Sequence, residues 1–182
     1  MKRALLPALM ISLLLSGCGA AAEERIEARR DALAAAEEIR FTARIRANPG
    51  KNEAFDCVLD CAAEPGEVTV EVVEPAEIAG LRAKAAEDGA SLEYEGVVLG
   101  LGGAAGGPLG AVPLLLRGLK SGHVIRAWEE DGGQVLAAEL YADDDCELTL
   151  WFDADSLAPL NASISENGAE ELRCEFENFS FH

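Results

Sequence analysis

From residue 39 to the C-terminus, apolar side chains recur at every second position in short runs separated by turn residues. Ile39, Phe41, Ala43 and Ile45 alternate with Arg40, Thr42, Arg44 and Arg46, and Asn48-Pro49-Gly50 follows. Phe55, Cys57, Leu59 and Cys61 alternate with Asp56, Val58 and Asp60; past Pro65-Gly66, Val68, Val70 and Val72 alternate with Thr69 and Glu71. Leu92 and Tyr94 oppose Glu93 and Glu95, and a pair of runs flanks Asp131-Gly132-Gly133. Further runs carry Leu136, Ala138 and Leu140, then Cys146, Leu148, Leu150 and Phe152, then Leu160, Ala162 and Ile164. After Asn167-Gly168 the last run carries Leu172, Cys174 and Phe176. A period of two puts one kind of residue on each face of a strand, so each run is a strand with one wet and one apolar face. About nine such strands joined by hairpin turns make one large antiparallel sheet, because a parallel sheet would be apolar on both faces.

The apolar face of such a sheet needs a cover, and three stretches lack the two-residue period. Residues 22–37, AEERIEARRDALAAAE, contain no helix breaker and read as a helix with a thin apolar stripe, mainly Ile26 and Leu33, which suits a surface position. Residues 75–87, PAEIAGLRAKAAE, open with proline at a first helical position and read as a second helix. Residues 108–120, PLGAVPLLLRGLK, hold Leu109, Val112, Leu114, Leu115, Leu116 and Leu119. A helix that apolar must be buried, and the apolar side of the sheet is the place for it. The preceding GLGGAAGG, residues 100–107, lacks the Gly-Lys-Ser/Thr of a phosphate-binding loop and reads as a flexible lead-in. The fold class is mainly β with short helices.

The N-terminus is of another kind. Lys2 and Arg3 precede an almost wholly apolar run over residues 4–15, then Ser16-Gly17-Cys18. That is the layout of an export signal, too short to span a bilayer core of ~30 Å. Leu15-Ser16-Gly17-Cys18 also resembles the lipobox of bacterial lipoproteins, in which the cysteine thiol takes a diacylglyceryl group and becomes the new N-terminus. The expected organisation is a signal peptide over residues 1–17 and one domain over 18–182, whose tether and first helix fill 18–38.

Loss of Lys2 and Arg3 with the signal leaves 13 of the 15 basic residues against 33 acidic ones, a net charge of −20. Such acidity excludes nucleic acid as a partner and disfavours lying flat on anionic lipid. Cys57, Cys61, Cys146 and Cys174 fall on apolar faces, where free core thiols and disulfides are both open readings. With only His123 and His182 to supply imidazole, no zinc spacing appears. Asp143-Asp144-Asp145 and Asp153-Ala154-Asp155 lack the glycine and distal glutamate of a calcium loop and read as turns. Neither histidine has a recognisable nucleophile partner and no Gly-x-Ser-x-Gly occurs, so no catalytic residue, metal or cofactor is expected.

The order of lipobox, helix, three strands, Pro75-Ala76-Glu77-Ile78-Ala79-Gly80-Leu81, Leu92-Glu93-Tyr94-Glu95-Gly96, and Pro108-x-x-x-x-Pro113-Leu114-Leu115-Leu116 resembles the LolA/LolB-like lipoprotein carriers. The likeness is nearest to anchored Gram-positive relatives, some tied to sporulation or germination. It implies an open, unclosed β-barrel with helices as a lid over a hydrophobic cavity. The implied function is a membrane-anchored lipoprotein, on the extracytoplasmic face, binding a lipid, acyl chain or lipoprotein tail. The inward rows supply the expected lining: Phe41, Phe55, Leu92, Tyr94, Leu136, Leu148, Leu150, Phe152 and Phe176. Leu114, Leu115 and Leu116 are the expected lid. The alternative is a non-catalytic scaffold whose outer surface recruits an envelope protein partner through Trp128, Trp151 and Tyr141; the latter two fall on the polar side by strand parity.

Overall fold

A computed structural model describes residues 17–47, 55–86, 89–100, 107–143, 146–166 and 168–182. Most of the expected signal peptide, Asn48-Pro49-Gly50, most of the glycine-rich lead-in, Asp144-Asp145 and Asn167 lie outside the described residues. The elements are α1 (Gly17–Ala34), β1 (Ile39–Ala47), β2 (Phe55–Glu64), β3 (Glu67–Glu74), β4 (Arg82–Ala86), β5 (Gly89–Tyr94) and β6 (Val97–Gly100). After these come α2 (Gly107–Ser121), β7 (His123–Glu130), β8 (Val135–Asp143), β9 (Cys146–Asp153), β10 (Pro159–Glu166) and β11 (Ala169–Phe181).

The strands form one 11-stranded sheet in the order β6-β5-β4-β3-β2-β1-β11-β10-β9-β8-β7. Every neighbouring pair is antiparallel. Two meanders, β1–β6 and β7–β11, are joined by the pairing of β1 with β11, which sets Ala43 opposite Phe176 and Ile45 opposite Cys174. β6 and β7 end the sheet, so it is an open half-barrel. Side-chain parity follows the sequence closely: in β1, Ile39, Phe41, Ala43 and Ile45 are buried while Arg40, Arg44 and Arg46 are exposed.

The structure corrects three expectations. The expected helix over 75–87 is not found in its described part, 75–86: a single 3-10 turn spans Ala76–Ile78, Gly80 at φ +84° breaks it, and β4 follows. Arg82-Ala83-Lys84-Ala85 has a two-residue period in which alanine takes the inner face. Its cations pair across to β3, Arg82 Nε with Glu71 at 3.1 Å and Lys84 Nζ with Glu67 at 3.1 Å. Alanine is the best helix former, and there the sheet overrides its propensity. β4 and β6 are the two strands that bring the expected nine to eleven. Third, α1 is no surface helix: Ala22, Ile26 and Leu33 are buried in the main core. It ends at Ala34 because the chain turns to meet the C-terminus, where the Glu37 and Glu38 N–H groups both donate to the His182 carbonyl, at 2.8 and 3.1 Å.

The helices cover part of the inner face. α1 packs on β7, β8 and α2, and α2 crosses from β8 to β1 and β3. Arginines on α1 tie it down: Arg25 donates to the Ala154 carbonyl, and Arg30 to the Gly122 carbonyl just past the end of α2. Arg29 lies 4.3 Å from the centre of the Phe181 ring, and burial lowers its guanidinium pKa. No described helix is long and apolar enough to cross a membrane.

Gly118 sets how closely α2 approaches the sheet. A Cβ there would collide with Leu148 Cδ1 and lie 3.1 Å from Leu140 Cδ1. Overpacking a filled core costs about 1–3 kcal/mol. Gly118→Val should therefore lower the melting temperature by about 2–12 °C at ~2–4 °C per kcal/mol, whereas Gly118→Ser, with a smaller added volume, should lower it less.

Candidate hydrophobic site

The inner face has two regions, and one row of side chains runs through both. Strand register aligns Phe41, Cys61, Val70, Ala83, Leu92 and Leu99 across β1, β2, β3, β4, β5 and β6. Exposure is 4%, 5%, 1% and 5% for the first four. Leu92 is half-buried and Leu99 is 57% exposed. The row leaves the covered core between Ala83 and Leu92. Tyr94 pairs with Val97 on the same face, at 37% and 60% exposure. Leu92, Tyr94, Val97 and Leu99 thus make an uncovered apolar shelf on the β5–β6 hairpin.

The other region is filled. Val112, Leu115, Leu116 and Leu119 of α2 are buried in the same cluster as Leu136, Leu140, Leu148, Leu150 and Phe152. Phe41, Phe176 and Phe179 pack ring against ring, with centroids 5.4 Å apart for Phe41–Phe176 and 5.5 Å for Phe41–Phe179. Of the nine expected lining residues, Phe41, Leu136, Leu148, Leu150, Phe152 and Phe176 therefore sit in this core. Leu92 and Tyr94 sit on the shelf. Phe55 opens β2 at 40% exposure, away from both groups. Of the expected lid residues, Leu115 and Leu116 are buried and Leu114 is half-buried. Val97 and Leu99 escaped the sequence reading; the signal was Val97-Val98-Leu99 directly after the Glu95-Gly96 turn, a short apolar run bounded by glycine.

The outer face carries most of the charged side chains, with Val98 and Tyr141 exposed among them. A groove of about 190 Å³ there is lined by Arg44, Arg46 and Arg173 with Asp56, Glu74 and Glu175. Its arginines are paired: Arg46 donates to both Asp56 oxygens, at 2.8 and 3.2 Å, which lowers the Asp56 carboxyl pKa, while Arg44 and Arg173 pair with Glu177 and Glu170 beside the groove. Asp153 accepts from the Ser156 N–H at 2.8 Å and hydroxyl at 2.7 Å, the bonding of a turn residue. Among the described residues no group of three or more His, Cys, Asp or Glu could hold a metal ion.

Searches against family models and against curated proteins return no match for this sequence. Solved structures do resemble it. An uncharacterized conserved protein from Thermus thermophilus superposes with a TM-score of 0.51 at 10% identity, covering 88% of this chain and 87% of that one. A LolA superfamily protein from Nitrosomonas europaea gives 0.50 at 10% identity, over 88% of this chain and 93% of that one. The fold is LolA-like. A DUF1329 family protein from Desulfovibrio piger shares this fold too, at TM-score 0.50 and 11% identity over 86% of this chain and 90% of that one.

Cys57, Cys61 and Cys174 are buried free thiols in this LolA-like domain. Burial pushes the Cys57 thiol up to about 11 and Cys174 to about 12, and raises Cys61 as well. Only the thiolate reacts with alkylating agents. At pH 8, iodoacetamide should leave Cys57, Cys61 and Cys174 unmodified in the native protein and label all three in denaturant. Peptide mapping by mass spectrometry reads the difference, and prompt native labelling of Cys57 would contradict it.

Proposed function

We propose that this chain is a lipid-anchored envelope protein that holds a hydrophobic ligand, such as an acyl chain or a lipoprotein tail, on the open shelf of its half-barrel. The observation that carries this reading is the inner row whose exposure rises from 1% at Val70 to 57% at Leu99. A soluble fold leaves few contiguous apolar surfaces uncovered, and those it leaves mark binding sites. No bond need be made or broken, so no catalytic group is invoked. A dozen methylenes at ~0.8 kcal/mol each would give useful affinity even after the losses of association. The ligand enters from the β6 side. Swinging α2 out as a lid would expose Val112, Leu115, Leu116 and Leu119 at about 1.5–3 kcal/mol each, a sum comparable with the stability of a whole domain. In this reading α2 is a fixed wall, not a lid.

Cys18 is the anchor, held at the extracytoplasmic face. Its support is the basic start, the short apolar run and the Leu-Ser-Gly-Cys seam. Cys18→Ala should move the protein from the membrane fraction to the soluble fraction, and the wild-type N-terminal peptide should carry a diacyl mass. A wild-type protein beginning at another residue would overturn the anchor.

Native mass spectrometry of protein extracted from cells, with titration of a fluorescent fatty acid, tests the shelf. Leu99→Glu should weaken fatty-acid binding at least about tenfold, the equivalent of ~1.4 kcal/mol. It should leave the melting temperature nearly unchanged, because Leu99 is exposed. Equal binding by the variant, or none by the wild type, would sink the proposal.

A further inference from the structure

Across the sheet from the shelf, the outer face carries an aromatic platform that hydrophobic-ligand binding does not use. Strand register sets Trp128 of β7, Ala137 of β8 and Trp151 of β9 side by side. Two inter-strand spacings, about 10 Å, separate the backbones that carry the indoles. Ala137 between them is wholly buried, although it faces outward, and both tryptophans are half-buried. The two indole N–H groups donate to one carboxylate, Trp128 Nε1 to Glu130 Oε1 at 2.6 Å and Trp151 Nε1 to Glu130 Oε2 at 3.1 Å. With both donors committed inside the protein, the rings present π surface and apolar edge rather than a polar group, and Arg126 already lies over one face of Trp128.

We propose that this platform docks a lysine- and arginine-rich segment of a protein partner. Two observations select that chemistry. The chain supplies an example of it, since the guanidinium of Arg126 lies 4.9 Å from the centre of the Trp128 ring. A π face attracts a cation within about 6 Å of its centroid, tryptophan most strongly. The second observation is charge. The Glu130 carboxylate sits at both indoles, on a chain of net charge −18, while Arg126 is neutralised by Glu139. That field repels an acidic partner, is indifferent to a neutral one, and steers a basic one onto the rings. This inference is independent of the shelf, which lies on the opposite face at the far end of the sheet.

Both tryptophans of the chain are in the platform, so intrinsic fluorescence reports this site alone. The full-length protein in uncharged polyoxyethylene detergent is titrated with deca-lysine, and with chitohexaose as a neutral ring-stacking competitor. Deca-lysine should shift the emission saturably at low ionic strength, and its affinity should fall at least about tenfold from 20 to 200 mM NaCl. Calorimetry should then show at least about fivefold weaker binding for Trp128→Ala and Trp151→Ala, given the usual strength of a cation–π contact. Glu130→Gln keeps an acceptor for the indoles and removes the charge, and it should weaken binding without altering circular dichroism. Peptide binding that follows salt but is unchanged in the tryptophan variants would overturn the proposal in favour of diffuse attraction. Emission that answers to chitohexaose and not to deca-lysine would overturn it in favour of a glycan. No response to either probe would overturn it outright.

Discussion

The pairing of the first strand with the last makes one sheet out of two. All other strand neighbours in this chain are consecutive in sequence, so each meander assembles locally. β1 and β11 meet across almost the whole chain, and only their ladder brings Phe41 against Phe176 and Ile45 opposite Cys174. The His182–Glu38 backbone bonds extend the same seam beyond the strands. Closing so long a loop is entropically costly and slow relative to hairpin formation. The helices can reach both halves only after that closure, because α2 touches β8 on one side and β1 and β3 on the other. Shelf, wall and aromatic platform all take their places from this one seam.

Much of this architecture was legible because each strand keeps a polar and an apolar side. Ile39 to Ile45 and Cys146 to Phe152 declare both strand and facing, and the structure repeats that facing residue by residue. The reading failed where alanine was ambiguous. Ala83 and Ala85 count equally for a helix interior and for the inner face of a strand, and only pairing with β3 and β5 decides between them. It failed at α1 for a related reason. A stripe of Ala22, Ile26 and Leu33 looks too thin to bury, yet Arg25 and Arg30 hold the helix to backbone carbonyls that no sequence pattern announces. The candidate site was half legible: parity identifies which residues face inward, but not which of them α2 covers. Leu92 and Leu150 look alike in sequence, and only the position of the helix makes one a shelf and the other a core residue.

The two faces divide the labour by chemistry. The inner face trades in apolar surface, graded from sealed to open along one row. The outer face carries most of the charged side chains, with its arginines in the central groove matched to carboxylates, so that region presents little net charge. Toward β7 the balance changes, and one carboxylate, Glu130, occupies the polar edges of two rings. One sheet, by strict alternation, thus keeps two unlike surfaces only a strand's thickness apart.

The position of α1 has a mechanical consequence. Helix runs from Gly17, and Ala22 is already in the core, so a lipid on Cys18 is followed by only about four residues before the domain becomes solid. At 1.5 Å per helical residue that is a tether of about 6 Å. Under the proposed anchoring at Cys18, the domain would stand directly on its membrane instead of sweeping the space above it on a long leash. Under that anchoring its working range would be the first few nanometres above the lipid, and anything it handled would have to come to the membrane surface.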